Sequence, residues 1–165
     1  MNIDGKTRLL GLLGDPVEHT MSPVIHNTLS DVLGFNEVYV PFHTTSEGLK
    51  NAVKGAYDLN ILGMNATVPH KNAVIDMLVD IDAGAKAIGA VNTLVRVEGG
   101  YKGYNTDMMG LSRELDVYGI SLKERNAVIL GAGGAARAVA YMCAAKGCKK
   151  VFILNRTLQL SLIHI

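Results

Sequence analysis

The chain has 165 residues, 48% of them hydrophobic, with 16 Lys and Arg against 15 Asp and Glu for a formal net charge of +1. That length fits one ordinary domain, or a small domain plus a piece of another, and that apolar share supports a packed core rather than a disordered chain. No block of like charge stands out, so neither nucleic acid nor a membrane surface is an expected partner.

Taken in chain order, the pattern alternates strand and helix. "TRLLGLLG" is a short apolar run closed by Asp15-Pro16. Ser22-Pro23 predicts an N-cap with proline at the first helical position, and a helix to about Leu33 that Gly34 stops. "EVYVPF" is β-branched and aromatic, hence a strand. "SEGLKNAVKGAY" has helical spacing, and "LNILGMNATV" follows as a buried strand. Asp76 to Ile88 contains helical turns, and "AVNTLVRVEGGYKGYN" reads as a hairpin around Gly99-Gly100. "TDMMGLSRELDVYG" is helical, with Asp107 near its start. "SLKERNAVIL" then runs as a strand into a glycine cluster. This alternation implies an α/β fold, a mostly parallel sheet covered by helices. A domain boundary is expected near residue 107, giving 1–107 and 108–165. No apolar run reaches the roughly 18 residues of a membrane span and the N-terminus lacks a signal-like segment, so the protein reads as soluble and cytoplasmic.

Gly131-Ala132-Gly133-Gly134-Ala135-Ala136 fits G-x-G-x-x-G/A between a strand and a helix. Gly131 permits a tight turn, Gly133 lets the backbone approach a pyrophosphate, and the small Ala136 keeps helix and strand close. The pyrophosphate would sit on free N–H groups at the helix N-terminus. A glycine turn without ligand has the same letters, but the strand–loop–helix setting favours a dinucleotide. The next strand ends in Asn155-Arg156-Thr157, where enzymes selecting NAD usually place an acidic residue. A guanidinium pairs with a 2′-phosphate in a planar fork, which points to NADP. Strand, glycine loop, helix and second strand make the first βαβ unit of a Rossmann-type domain.

Small polar residues gather at the predicted strand ends and helix starts, where open α/β sheets bind ligands. Thr20 and Ser22 flank Met21; their hydroxyls suit a carboxylate, and equally they suit a turn and an N-cap. Asn65, Thr67 and Lys71 surround Pro69, Asn92 lies in "GAVNT", and Asn105 and Asp107 lie in "YNTD". Asn and Thr each offer a donor and an acceptor to a hydroxylated ligand. Lys71 and Asp107 stand out as a proton-transfer pair. Cys143 and Cys148 lack the spacing and partner ligands of a zinc site and read as plain thiols. His19, His26, His43 and His164 form no ligand-spaced set, so no metal is expected.

These residues carry a resemblance. From about residue 9 to residue 157 the chain resembles the shikimate dehydrogenase family, through "GDPVEHTMSPVIHN", "GMNATVPHK", "GAVNTL", "YNTD", "GAGGAAR" and "NRT" in that order. The resemblance implies reversible NADPH-dependent reduction of 3-dehydroshikimate to shikimate, in chorismate and aromatic amino-acid biosynthesis. It implies a substrate domain first and a cofactor domain second. Carried over residue by residue, Thr20 and Ser22 match the carboxylate-binding hydroxyl pair, although the first is more often serine. Asn65, Thr67, Asn92 and Asp107 match positions on the ring hydroxyls, and Lys71 the catalytic lysine. The glycine loop, Gly131 to Ala135, with Asn155, Arg156 and Thr157, matches the NADP site. His70 stands where an aromatic is common and reads as packing.

Hydride transfer to a ketone leaves negative charge on the carbonyl oxygen, which Lys71 would quench with a proton. A carboxylate at Asp107 would favour and orient the charged lysine while accepting from a substrate hydroxyl. Two rivals remain. A quinate/shikimate dehydrogenase would often carry an acidic residue near Arg156, and a non-catalytic ligand-binding relative would lose Lys71 or Asp107. After Thr157 the resemblance stops: "LQLSLIHI" lacks the charged helix expected there, so the chain reads as truncated, with half a nucleotide-binding domain and little activity of its own. Oligomeric state, homodimer included, is left open by the sequence.

Overall fold

The computed structural model describes residues 3–156; Thr157 and the tail "LQLSLIHI" lie outside the described residues. The chain forms two compact units, Met1–Asp82 with Val91–Tyr104, and Ala83–Ala90 with Asn105–Ile165.

The first unit is built on six strands: β1 (Arg8–Gly14), β2 (Glu37–His43), β3 (Gly63–Ala66), β4 (Asp80–Ile81), β5 (Thr93–Val97) and β6 (Gly100–Tyr104). They lie in the order β2-β1-β3-β5-β6-β4. The β1–β2, β1–β3 and β4–β6 pairings are parallel, whereas β3–β5 and β5–β6 are antiparallel. The α/β sheet read from the sequence is therefore present. The hairpin read at Gly99-Gly100 joins β5 to β6, with Gly99 supplying a left-handed φ of +80°. Leu12, Leu13, Tyr39, Leu49, Val53, Val74, Leu94 and Tyr101 fill the interior. Leu49 and Val53 come from α2 (Leu49–Asp58), one turn apart on its inward face.

Helix α1 (Ser22–Leu33) keeps Pro23 in its first turn and stops at Gly34, φ +71°, as the sequence predicts. Its N-cap, however, is Met21, with no side-chain cap hydrogen bond. Ser22 is already helical, and its backbone N–H is taken by Thr20 Oγ1 at 3.2 Å. Lying inside the helix, Ser22 is not in the capping position. A second local surprise lies between Asp76 and Ile88. There the chain makes a short 3₁₀ turn at Val74–Met77 and the two-residue strand β4 before its helix. Strand pairing at β4 depends on β6, twenty residues on, so no local pattern announces it.

Strand β2 sits at a sheet edge. Its outer backbone groups at Tyr39 are satisfied by Asn27 of α1, whose Nδ2 donates to the Tyr39 carbonyl at 2.9 Å and whose Oδ1 accepts the Tyr39 N–H at 2.8 Å. One side-chain amide thus replaces a missing strand partner and blunts the edge.

In the second unit, β7 (Asn126–Leu130) and β8 (Lys150–Leu154) pair in parallel around α6 (Gly134–Ala145). This is the βαβ unit expected from the glycine pattern. Ala138 of α6 packs with Ile88 and Ala90 beside α4 (Ala83–Ile88), with Met108 of α5 (Asp107–Val117) against them. Strand alternation sends Ile129 inward, 7% exposed, and leaves Val128, Leu130, Phe152 and Leu154 on the open face, where Leu130 is 81% exposed.

Candidate functional site

Parallel pairing brings the C-terminal ends of β1, β2 and β3 to the same border of the first unit. In register, Leu10 of β1 opposes Tyr39, and Leu12 opposes Asn65. Asn65 in turn opposes Thr93 on β5. These pairings line up a continuous run of polar groups. The Thr20 hydroxyl donates to Ser22 Oγ at 3.1 Å, and Ser22 neighbours the phenol of Tyr39. Tyr39 donates to Asn65 Oδ1 at 2.7 Å. Asn65 Nδ2 donates onward to the Asn92 carbonyl at 3.1 Å and to Thr93 Oγ1 at 3.3 Å, and Thr93 donates to Asn92 Oδ1 at 2.8 Å. Two of the residues singled out in the sequence, Asn65 and Asn92, are joined in one network through Tyr39 and Thr93, and two more, Thr20 and Ser22, form a hydroxyl pair beside Tyr39.

Tyr39 and Thr93 complete this chain, and neither is singled out by the sequence. Tyr39 reads there only as part of a strand, and its ring is buried, stacked on His26 at 4.2 Å between centroids. Burial pushes its phenol up to about 12, with the Ser22 hydrogen bond pulling the other way. The one available hint is general: a buried tyrosine hydroxyl seeks a partner.

Thr67 and Lys71 follow β3 on a tight turn. The Thr67 N–H donates to the Leu13 carbonyl at 2.9 Å, and the Thr67 carbonyl accepts from the His70 N–H at 2.7 Å. A Cβ on Gly14 would fall 2.5 Å from Thr67 Cγ2, so the glycine is what lets this turn lie against the end of β1. His70 opens the four-residue helix α3 (His70–Ala73) and is fully buried. Its Nε2 donates to the Thr44 carbonyl at 2.6 Å, which places the ring hydrogen on that nitrogen. Lys71 accepts the Val91 N–H on its carbonyl at 2.7 Å, so its backbone is tied to the loop before β5. His70 and Lys71 are thus anchored by main chain on either side.

In the second unit, Asp107 is the first residue of α5, and its N–H is accepted by Asn105 Oδ1 at 2.9 Å. Asn105 is buried and donates to the Ala90 carbonyl at 3.0 Å. The negative Asp107 sits where the helix dipole favours it.

Gly131 adopts φ +105° at the turn from β7 into α6, and its N–H donates to the Leu154 carbonyl at 2.8 Å, extending the pairing of β7 with β8. Gly133 is the N-cap of α6 and offers no side chain to the first-turn N–H groups. A Cβ at Gly131 or Gly133 would meet nothing within 4 Å, so open space adjoins both. Gly134 and Ala135 begin the helix, while Ala132 is buried. An uncapped helix start, backbone without side chains and adjoining free volume suit a diphosphate. Asn155 and the exposed Arg156 follow the end of β8. Among the described residues, no group of three or more His, Cys, Asp and Glu is placed to hold a metal, and no helix is long and apolar enough to cross a membrane.

Residues 12–94 match the family model of the shikimate dehydrogenase substrate binding domain, and residues 114–161 that of shikimate/quinate 5-dehydrogenase. A shikimate dehydrogenase (NADP(+)) of Caldanaerobacter subterraneus is 46% identical over 96% of this chain and 57% of its own length. The crystal structure of shikimate dehydrogenase from Aquifex aeolicus superposes with a TM-score of 0.94 at 41% identity, over 98% of this chain and 60% of that one. The Thermus thermophilus enzyme in complex with NADP(H) and shikimate gives a TM-score of 0.87 at 38% identity, over 96% of this chain and 59% of that one. The chain spans about half the length of the curated relatives it matches.

Proposed function

The chain belongs to the shikimate dehydrogenase family, and on that premise we propose that it carries the substrate domain and the opening of the cofactor domain of an NADP-dependent enzyme. The reaction is the reversible reduction of 3-dehydroshikimate to shikimate in the cytoplasm. We assign residues 1–107 to substrate binding and 108–165 to the start of the NADP domain. The observation that carries this reading is the run of polar groups from the Thr20–Ser22 pair past Tyr39 to Asn65 and Asn92. It presents hydroxyls and amides, without charge, along one sheet border, which suits a polyhydroxylated ring.

In this reading Thr20 and Ser22 hold the substrate carboxylate beside the start of α1. Asn65, Thr67 and Asn92 bind ring hydroxyls, Asn65 through the lone pair of Oδ1 that Tyr39 leaves open. NADPH supplies the hydride when bound. Lys71 delivers the proton that the carbonyl oxygen needs as negative charge develops on it, and Asp107 accepts from a substrate hydroxyl. The glycine loop and α6 would hold the diphosphate, and Arg156 the 2′-phosphate; Thr157, outside the described residues, belongs to the same assignment.

The test is shikimate oxidation by a version of the chain extended to the relatives' length, assayed with NADP or NAD and with shikimate or quinate. Shikimate with NADP should exceed each alternative at least about tenfold, a difference of about 1.4 kcal/mol in the barrier. Equal rates with quinate would replace this reading by the broader quinate/shikimate one.

A further inference from the structure

Helix α6 ends in two interlocked turns. The Cys148 N–H donates to the Cys143 carbonyl at 3.0 Å, and the Gly147 N–H to the Ala144 carbonyl at 3.1 Å. Gly147 takes a left-handed φ of +76° between them. This pair of hydrogen bonds folds the residue after the glycine back over the last helical turn. The side chains at the two ends of the longer bond then meet, a contact ordinarily made by apolar residues. Here both are cysteines, both free thiols, with Cys143 buried and Cys148 half-buried. The turn sets the two thiols beside one another. A residue whose N–H bonds the other's carbonyl is held within the Cα separation a disulfide tolerates, roughly 4.4–6.8 Å.

We propose that Cys143 and Cys148 form a dithiol site that low-molecular-weight disulfides oxidise to an intramolecular disulfide. The two thiols divide the work by their surroundings. Cys148 reaches solvent, so its thiolate attacks one sulfur of the incoming disulfide. That S–S bond breaks, one small thiolate leaves, and Cys148 carries a mixed disulfide. Cys143 then gives its proton to water and attacks Cys148 Sγ, which expels the second small thiolate. Two protein thiols lose two electrons in total, and the reagent gains them as two thiols. Cys143 serves only in the second step: burial and the adjoining Cys148 thiol push it up to about 11, leaving little thiolate near neutrality. What lets it act is position, since the turn already holds the two residues side by side.

The experiment treats the whole chain, and its Cys143→Ser and Cys148→Ser variants, with oxidised glutathione, followed by intact mass after acid quenching. The unaltered chain should pass through one glutathione adduct to a glutathione-free species lighter by two hydrogens. Cys143→Ser should stop at the adduct, and Cys148→Ser should react at least about tenfold more slowly than Cys143→Ser. A dithiol reductant should reverse the closure. In urea the two variants should react at similar rates, which ties the native difference to the fold rather than to the sequence spacing. A stable adduct on the unaltered chain, or equal native rates for the two variants, would overturn the proposal.

Discussion

Replacing Tyr39 by phenylalanine cuts the polar chain at its centre while keeping an aromatic ring on His26. The hydrogen bond to Asn65 Oδ1 at 2.7 Å goes, and the acceptor is left without that partner. The lost bond and the unsatisfied acceptor together are worth roughly 1–2 kcal/mol of stability. For a domain of about 100 residues that lowers the melting temperature by at least roughly 4 °C. The loss should itself depend on pH. The folded phenol titrates at about 12, above its ordinary 10. Its contribution is therefore complete below pH 10 and disappears as pH rises through 12. The gap between the unaltered chain and the Tyr39→Phe variant should be widest near neutrality and narrow steadily across that window. Thermal unfolding by circular dichroism at about pH 7 and about pH 11 measures both. A gap of less than about 1 °C near neutrality would refute the Tyr39–Asn65 bond as drawn, and one that fails to shrink in the alkaline sample would refute the burial of the phenol.

Asn27→Ala removes both bonds that satisfy the Tyr39 backbone at the sheet edge, and should cost about 2–3 kcal/mol in chemical denaturation. Asn27→Asp, which keeps the acceptor and loses the donor, should fall between. In a version extended to the relatives' length, Lys71→Ala should lower kcat by about 10²–10⁴-fold with little change in KM, because its proton matters mainly in the transition state. A change confined to KM would make it a binding residue. In the same extended version, Arg156→Asp should raise the Kd for NADP at least about tenfold by replacing a phosphate partner with a repelling charge, read by titration. Unchanged preference for NADP over NAD would remove Arg156 from the cofactor site.

Most of the architecture was legible because its signals are local. Pro23 and Gly34 bracket α1, Gly99 turns the hairpin, and Gly131 announces the turn after β7; each acts through backbone torsion within a few residues. The site was legible in part for a different reason. Asn65, Thr67 and Lys71 lie in one short stretch, so their motif survives reading along the chain. Tyr39 and Thr93 do not. They join the site through the Leu10–Tyr39 and Asn65–Thr93 registers, and register between strands tens of residues apart has no local mark. The Ser22 N-cap expectation failed by the same logic in miniature. The helix starts one residue early, with Met21 as its N-cap, so Ser22 lies inside the first turn and its hydroxyl is not in the capping position.

The outward row of Val128, Leu130, Phe152 and Leu154 on the two-stranded sheet has a thermal consequence. Covering an exposed side chain of this kind is worth about 1.5–3 kcal/mol, so the row as a whole stores several kcal/mol of attraction toward any apolar surface that meets it. That attraction is mainly entropic near room temperature: it fades on cooling and grows with excluded salts such as sulfate. Self-association of this chain should accordingly be promoted by warmth and sulfate and relieved on ice, the reverse of what an assembly held by ion pairs would show.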